Sequence, residues 1–373
     1  MCRHRLLARV LSSAFIALCI RAQNVAPSRL PNPTVMPAVA GILAAFQTHP
    51  LVGLSDWHGM AQEEDFYAQV VKDPRFVKDV GNVVVEFGEA AQQDTIDRYL
   101  AGEDVPYDQL RKVWSDTVGA VPTITSIGYP NFFAQVRATN INLPKAERIR
   151  VWLGDPPIDW SKIKTREEYV QVLHGRESYP ANLITSQILA RHKKALIIYG
   201  GSHFYDEGTM RLLVERRYPG AFFLVTPYIG FNEESCSSTF EGGLHDWPVP
   251  ALATPIRNTT LQILLQVSGC TSFTEFHFDP QTTQAAKKAA LKSWEDETSG
   301  VTGDALLYLG PAARLTVASQ IPDLYLDPAF RSEISRRQII VSGHPLGAPL
   351  DIRSAQSPLR LYGNSSQNGN TAK

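Results

Sequence analysis

Six short apolar runs, separated by longer stretches of helical periodicity, restrict this chain more than any other feature of its sequence. Leu51–Leu54, Val83–Val85, Ile149–Leu153, Ala195–Tyr199, Phe222–Val225 and Ala305–Leu309 are too short for buried helices and read as strands covered on both faces. Between them, Glu63–Val71 places Phe66, Tyr67, Val70 and Val71 on one helical face, and Ala90–Leu100 does the same with Ile96, Tyr99 and Leu100. Arg166–His192, interrupted or kinked at Pro180, Glu207–Arg217, Pro280–Glu297 and Pro328–Arg337 continue the alternation. Strands alternating with helices predict an α/β fold: a mostly parallel central sheet with helices on both faces. The stretch from Asn232 to Pro255 has little regular pattern and reads as loops over one end of that sheet.

The ends of the chain differ from this middle. Arg3, Arg5 and Arg9 precede an apolar run, Val10–Ile20, and Ala22 offers a small residue for cleavage, the order of a secretory signal peptide over residues 1–22. A protein so directed is secreted or periplasmic. Its mature chain carries no transmembrane anchor, because no second apolar run is long enough. Residues 23–44 read as an extended, proline-rich lead-in, 45–340 as a single α/β domain, and 341–373 as an irregular or disordered tail. The formal charge of −1 shows no basic excess and argues against a nucleic-acid partner. After cleavage two cysteines remain, Cys236 and Cys270, which either form a disulfide or stay as buried thiols.

Ligands of parallel sheets bind beyond the carboxyl ends of the strands, so the residues following each run matter most. Leu51–Leu54 leads into Ser55, Asp56, Trp57, His58 and Gly59; Val83–Val85 runs into Glu86; Ile149–Leu153 ends at Gly154 and Asp155; Ala195–Tyr199 runs into Gly200, Gly201, Ser202 and His203. Four successive strands thus end in a carboxylate, an imidazole or both. If they are neighbours in one sheet, these groups share a pocket. An imidazole oriented by a carboxylate takes a proton from water, and a desolvated second carboxylate serves as an acid. The alternative is a divalent metal held by His58, Glu86 and His203.

Each residue also has a structural reading. His58 can cap a helix, Glu86 can pair with a structural Arg such as Arg176, Asp155 before Pro156 and Pro157 can start a turn, and His245 and Asp246 fit a surface loop. No G-x-S-x-G elbow, P-loop, H-E-x-x-H or C-x-x-C motif is present.

In its ordered set of short motifs the chain resembles the superfamily that contains erythromycin esterases, ChaN-like haem-uptake proteins and Tiki/TraB proteases. The segment from Leu51 through His58 to Met60 is similar to the esterase strand ending in G-E-x-x-H-G, with Ser55 where the esterases carry Glu. Val83-Val-Val-Glu86-Phe resembles their second strand, Gln92 to Glu103 the following helix, Arg176-Glu177 with Ala181 the R-D-x-x-M-A helix start, and Ala195 to His203 the late strand supplying a second His. The resemblance spans roughly 45–340. It implies that His58 is a general base and Glu86 its carboxylate partner.

Two functions follow as expectations. One is a hydrolase of an ester, lactone or amide in a small-molecule substrate, with His58 activating water, Asp56 and Glu86 orienting it or acting as acid, and His203 and Arg176 stabilising negative charge, with or without the metal. The other is a non-catalytic binding protein for haem or another apolar ligand, in which Tyr129, Tyr199 or Tyr205 supplies the iron ligand. A scaffold that has lost its chemistry is the third possibility.

Overall fold

Every one of the six apolar runs is a strand of a single sheet. The computed structural model describes residues 30–119, 125–205, 208–230, 234–244, 246–266 and 303–347. The strands are β1 (Thr34–Pro37), β2 (Leu51–Asp56), β3 (Asn82–Glu89), β4 (Arg150–Asp155), β5 (Ala195–Gly200), β6 (Phe222–Pro227), β7 (Ala251–Thr254) and β8 (Ala305–Tyr308). Their order across the sheet is β1-β7-β8-β6-β2-β5-β3-β4. From β8 to β4 all neighbours run parallel, while β7 and β1 complete one edge antiparallel.

Period-two alternation sorts the side chains onto two faces. Val52, Leu54, Val83, Val85, Phe87, Leu196 and Ile198 pack with Phe66, Tyr67, Tyr129 and Phe132 on one side. Leu51, Val84, Ala195, Ile197 and Tyr199 pack with Ile184, Ile188, Phe204 and Met210 on the other. Continuing the alternation puts Asp56 on the first face and Glu86 on the second. The two carboxylates approach the sheet end from opposite sides.

Three local readings change. Residues 34–37 lie within the stretch read as an extended lead-in; they are extended but bonded, Thr34 opposite Thr254 and Pro37 opposite Ala251, and helix Ala38–Ala45 follows directly. The stretch read as loops holds helix Glu234–Gly242 and β7. The helical run from Arg166 breaks at 174–177, upstream of Pro180: helix Arg166–Leu173 ends, and Ser178–Leu183 begins with Pro180 in its first turn, where a missing N–H costs nothing. The break leaves Arg176 and Glu177 between two helices.

The β4 edge is covered by a side chain. The Gln93 amide donates to the Val151 carbonyl (3.0 Å) and accepts from the Leu153 N–H (2.9 Å). Cys236 is disulfide-bonded. The segment read as a signal peptide, Cys270, His245, His277 and the run read as helical over 280–297 lie outside the described residues. Among the described residues no helix is long and apolar enough to cross a membrane.

Candidate active site

β2, β5, β3 and β4 are consecutive neighbours, so the four chemistry-bearing strand ends do meet. Asp56 pairs in register with Gly200, which brings His58, just beyond β2, over the end of β5. Asp56 Oδ2 lies 3.0 Å from His58 Nδ1. The Asp56 carboxylate is itself fixed: Tyr67 donates to Oδ1 (2.8 Å) and Tyr129 to Oδ2 (2.9 Å). Tyr67 and Tyr129 are buried, and burial first, then the charge of Asp56, pushes both phenols well up, so each keeps its proton and remains a donor.

Glu86 occupies the other side. Its Oε1 accepts from Arg176 Nη2 (2.5 Å) and lies 3.3 Å from His203 Nε2; its Oε2 accepts from the Gly200 N–H (2.6 Å) and lies 3.6 Å from His58 Nε2. Glycine at 200 leaves room for this close approach: a Cβ there would stand 2.9 Å from His58 Nε2 and 3.3 Å from Glu86 Oε2 and would force the imidazole to shift. The far nitrogen of His203, Nδ1, lies 2.7 Å from Glu177 Oε1, and Glu177 Oε2 accepts from the Met210 N–H (2.7 Å). The result is one continuous chain of charged groups, Asp56–His58–Glu86–His203–Glu177, with Arg176 at its centre. His58 is 27% exposed, Arg176 29% and Glu177 34%, whereas Glu86 and His203 are buried, so the cluster opens at His58, Arg176 and Glu177.

All five residues singled out from the sequence, Asp56, His58, Glu86, Arg176 and His203, therefore belong to one site. Burial by itself would raise Glu86, but His203, His58 and Arg176 outweigh it and hold the carboxyl well below its usual range. Burial would likewise lower His203; Glu86 and Glu177 outweigh it and bring the imidazole to about 9. His58 is also raised, because Glu86 and Asp56 overcome its desolvation.

Sequence reasoning placed Asp155 at this sheet end, with a turn as its alternative, and assigned no role to Glu177 or to two buried acids beside the site. Glu63 and Glu64, in the first turn of helix Ala61–Lys72, sit behind Asp56 with Glu63 Oε2 accepting from the Trp57 N–H (2.9 Å). Burial pushes Glu63 well up and Glu64 to about 8. Asp155, last in β4, accepts from the Val118 N–H (2.5 Å) and is pushed by burial to about 8; it does not simply start a turn. Two consecutive glutamates opening a helix look like solvated first-turn charges, so the sequence carries no signal of their burial.

His58, Glu86 and His203, the residues read as a metal set, do meet here: the two imidazoles face different oxygens of Glu86, whose Oε1 also accepts from Arg176. Among the described residues no group of three His, Cys, Asp or Glu is placed to hold a metal ion. The three tyrosines considered as haem ligands also turn inward. Tyr129 bonds Asp56, Tyr205 shares a 2.6 Å hydrogen bond with Thr226, and the hydroxyl of Tyr199 is buried against Gly154.

No family model matches the chain, and no curated protein does. Two solved structures show a faint likeness. The type III effector HopBA1 is similar at a TM-score of 0.35 and 11% identity, over 55% of this chain and 89% of its own. ChaN of Campylobacter jejuni, solved with cofacial haem, is similar at 0.33 and 8%, over 52% of this chain and 91% of its own. At these TM-scores neither likeness carries an argument about the fold family or the function. The site geometry stands alone as the guide to chemistry.

Proposed function

We propose that this protein is a hydrolase of an ester, lactone or amide bond in a small-molecule substrate, with His58 as the general base. The observation that carries the reading is the Asp56–His58 pair: a 3.0 Å contact to a carboxylate locked by two buried tyrosines, on an imidazole that is itself partly open. Asp56 accepts the Nδ1 proton and leaves Nε2 as the base. At 3.6 Å from Glu86 Oε2 that nitrogen is too far for a direct hydrogen bond, yet one water can touch both atoms. His58 takes the proton of that water as its oxygen adds to the carbonyl carbon, then returns it to the leaving group. Arg176, the partly open cation of the site, stabilises the oxyanion. Glu86 stays ionised throughout, so it steadies the His58 imidazolium and does not act as the acid.

The base works only when neutral, and His58 is raised above its ordinary 6.5, so the rate climbs with pH along an acid limb above that value. It falls again near 9 as His203 loses its charge. Screening activated esters, lactones and anilides should reveal a substrate with this bell-shaped profile. His58→Asn lowers its kcat/KM by about 10²–10⁴-fold. If no compound is cleaved faster by the wild type than by His58→Asn, the hydrolase reading is wrong.

Gly200→Ala tests the packing of the same pair. The added methyl displaces His58 from Glu86, and kcat/KM on the same substrate should fall about 10²-fold while cooperative unfolding is retained. Unchanged kinetics would mean that contact between residues 58 and 86 plays no part in turnover.

A further inference from the structure

We propose that Glu177 is a positioning residue that keeps His203 an imidazolium through neutral pH, making His203 a positive charge behind Glu86 and not the proton carrier of turnover. The argument is geometric and extends the hydrolase reading to a residue outside the base and its partners. His203 is 2% exposed, and each of its ring nitrogens faces a carboxylate oxygen, Nδ1 that of Glu177 at 2.7 Å and Nε2 that of Glu86 at 3.3 Å. A neutral imidazole keeps a lone pair on one ring nitrogen, which here would lie beside a carboxylate whichever tautomer formed; the cation alone is attracted to both carboxylates, as an ion pair on each side.

Glu177 holds this position because it is anchored in turn. Its second oxygen accepts the N–H of Met210, the first residue of helix Met210–Glu215, and the helical break at 174–177 presents it toward His203. The other charged or titratable groups around His203 cannot substitute. Arg176 opposes its charge, Tyr199 meets it edge-on at 5.3 Å between ring centres, Asp155, raised by burial to about 8, makes its hydrogen bond to the Val118 N–H and no ion pair with His203, and His58 lies beyond Glu86. Arg211, on the neighbouring helix, is engaged with Glu215 and the Phe204 carbonyl. With Glu177 uncharged, one carboxylate alone opposes the burial that drives His203 neutral. Its midpoint of about 9 reflects both partners.

The test is long-range ¹H–¹⁵N NMR of the ¹⁵N-histidine-labelled protein, with the His203 signals assigned by His203→Asn. In the wild type both ring nitrogens should show imidazolium shifts at pH 7.5, with a midpoint near 9. In Glu177→Gln, which still offers Met210 an acceptor, the midpoint should fall by about one to two pH units, and the alkaline limb of hydrolysis should fall with it. A neutral His203 in the wild type at pH 7.5 overturns the inference without any variant. So does a Glu177→Gln protein in which His203 titrates as before, or one in which the limb stays while the His203 midpoint moves. If His203 behaves as expected and no substrate is cleaved, the role of Glu177 stands and the hydrolase reading fails.

Discussion

Glu86→Gln is expected to cost about 3–5 kcal/mol of folding stability at pH 6, the usual penalty for removing one partner of a buried ion cluster. The reason is the number of cations that depend on this carboxylate: Arg176 and His203 on Oε1, and the raised His58 near Oε2. The amide keeps the shape but leaves buried positive charge without its counter-ion. The signs fix where the effect is largest. Glu86 is depressed, so its contribution is present above the ordinary carboxylate value of 4.5 and disappears as pH falls through its lower folded value. His203 is raised to about 9, so its contribution is complete below 6.5 and is lost as pH rises through 9. Both are complete between 4.5 and 6.5. Urea unfolding at pH 6 and pH 10 should therefore show a larger difference between wild type and Glu86→Gln at the lower pH. A difference below 1 kcal/mol at pH 6 would mean that the cluster does not hold the sheet end together.

Glu64→Gln should act in the opposite direction, and at the other end of the pH scale. Its carboxyl ionises near 4.5 in the unfolded chain but only at about 8 in the fold, so folding takes up a proton between those values. Stability attributable to Glu64 is complete below 4.5 and is lost as pH rises through 8. The accumulated penalty is on the order of 5 kcal/mol above pH 8. Glutamine carries no such burden, so the variant should gain on the wild type steadily from pH 5 to pH 8 and hold its advantage above that. Denaturant midpoints across this range measure it. Parallel pH curves for the two proteins would show that Glu64 is ionised in the fold after all. A costly buried acid a few residues from His58 is the kind of departure from stability that marks functional sites.

Much of this was legible in the residues, because two simple periodicities governed it. All six parallel strands were visible as apolar runs, and the rule that ligands lie beyond strand carboxyl ends selected Asp56, His58, Glu86 and His203 before any geometry was known. β1 and β7 escaped because each is four residues long and hemmed by prolines, with Pro33 and Pro37 at one and Pro250 and Pro255 at the other, too short for alternation to register. Glu177 escaped for a different reason. Its partner lies 26 positions away on another element, and nothing local separates an acid that clamps an imidazole from one that faces water. The roles of Tyr67 and Tyr129 were hidden likewise. Tyr67 reads as an apolar position on a helix face and Tyr129 as a haem-iron ligand, and their hydroxyls matter here because the alternation of β2 turns Asp56 toward them.

The glutamine seated along β4 bears on how the protein behaves in company. A terminal strand normally offers unpaired amides and carbonyls that invite a second chain to add itself, the first step of fibril growth or strand exchange. Here one amide side chain mimics a neighbouring strand for Val151 and Leu153, and Arg150, stacked 4.0 Å over the Trp152 ring, sets a positive charge beside it. The outermost parallel strand is thereby closed to recruits, and the flank of the sheet nearest Glu86 and Asp155 is kept for its own chemistry.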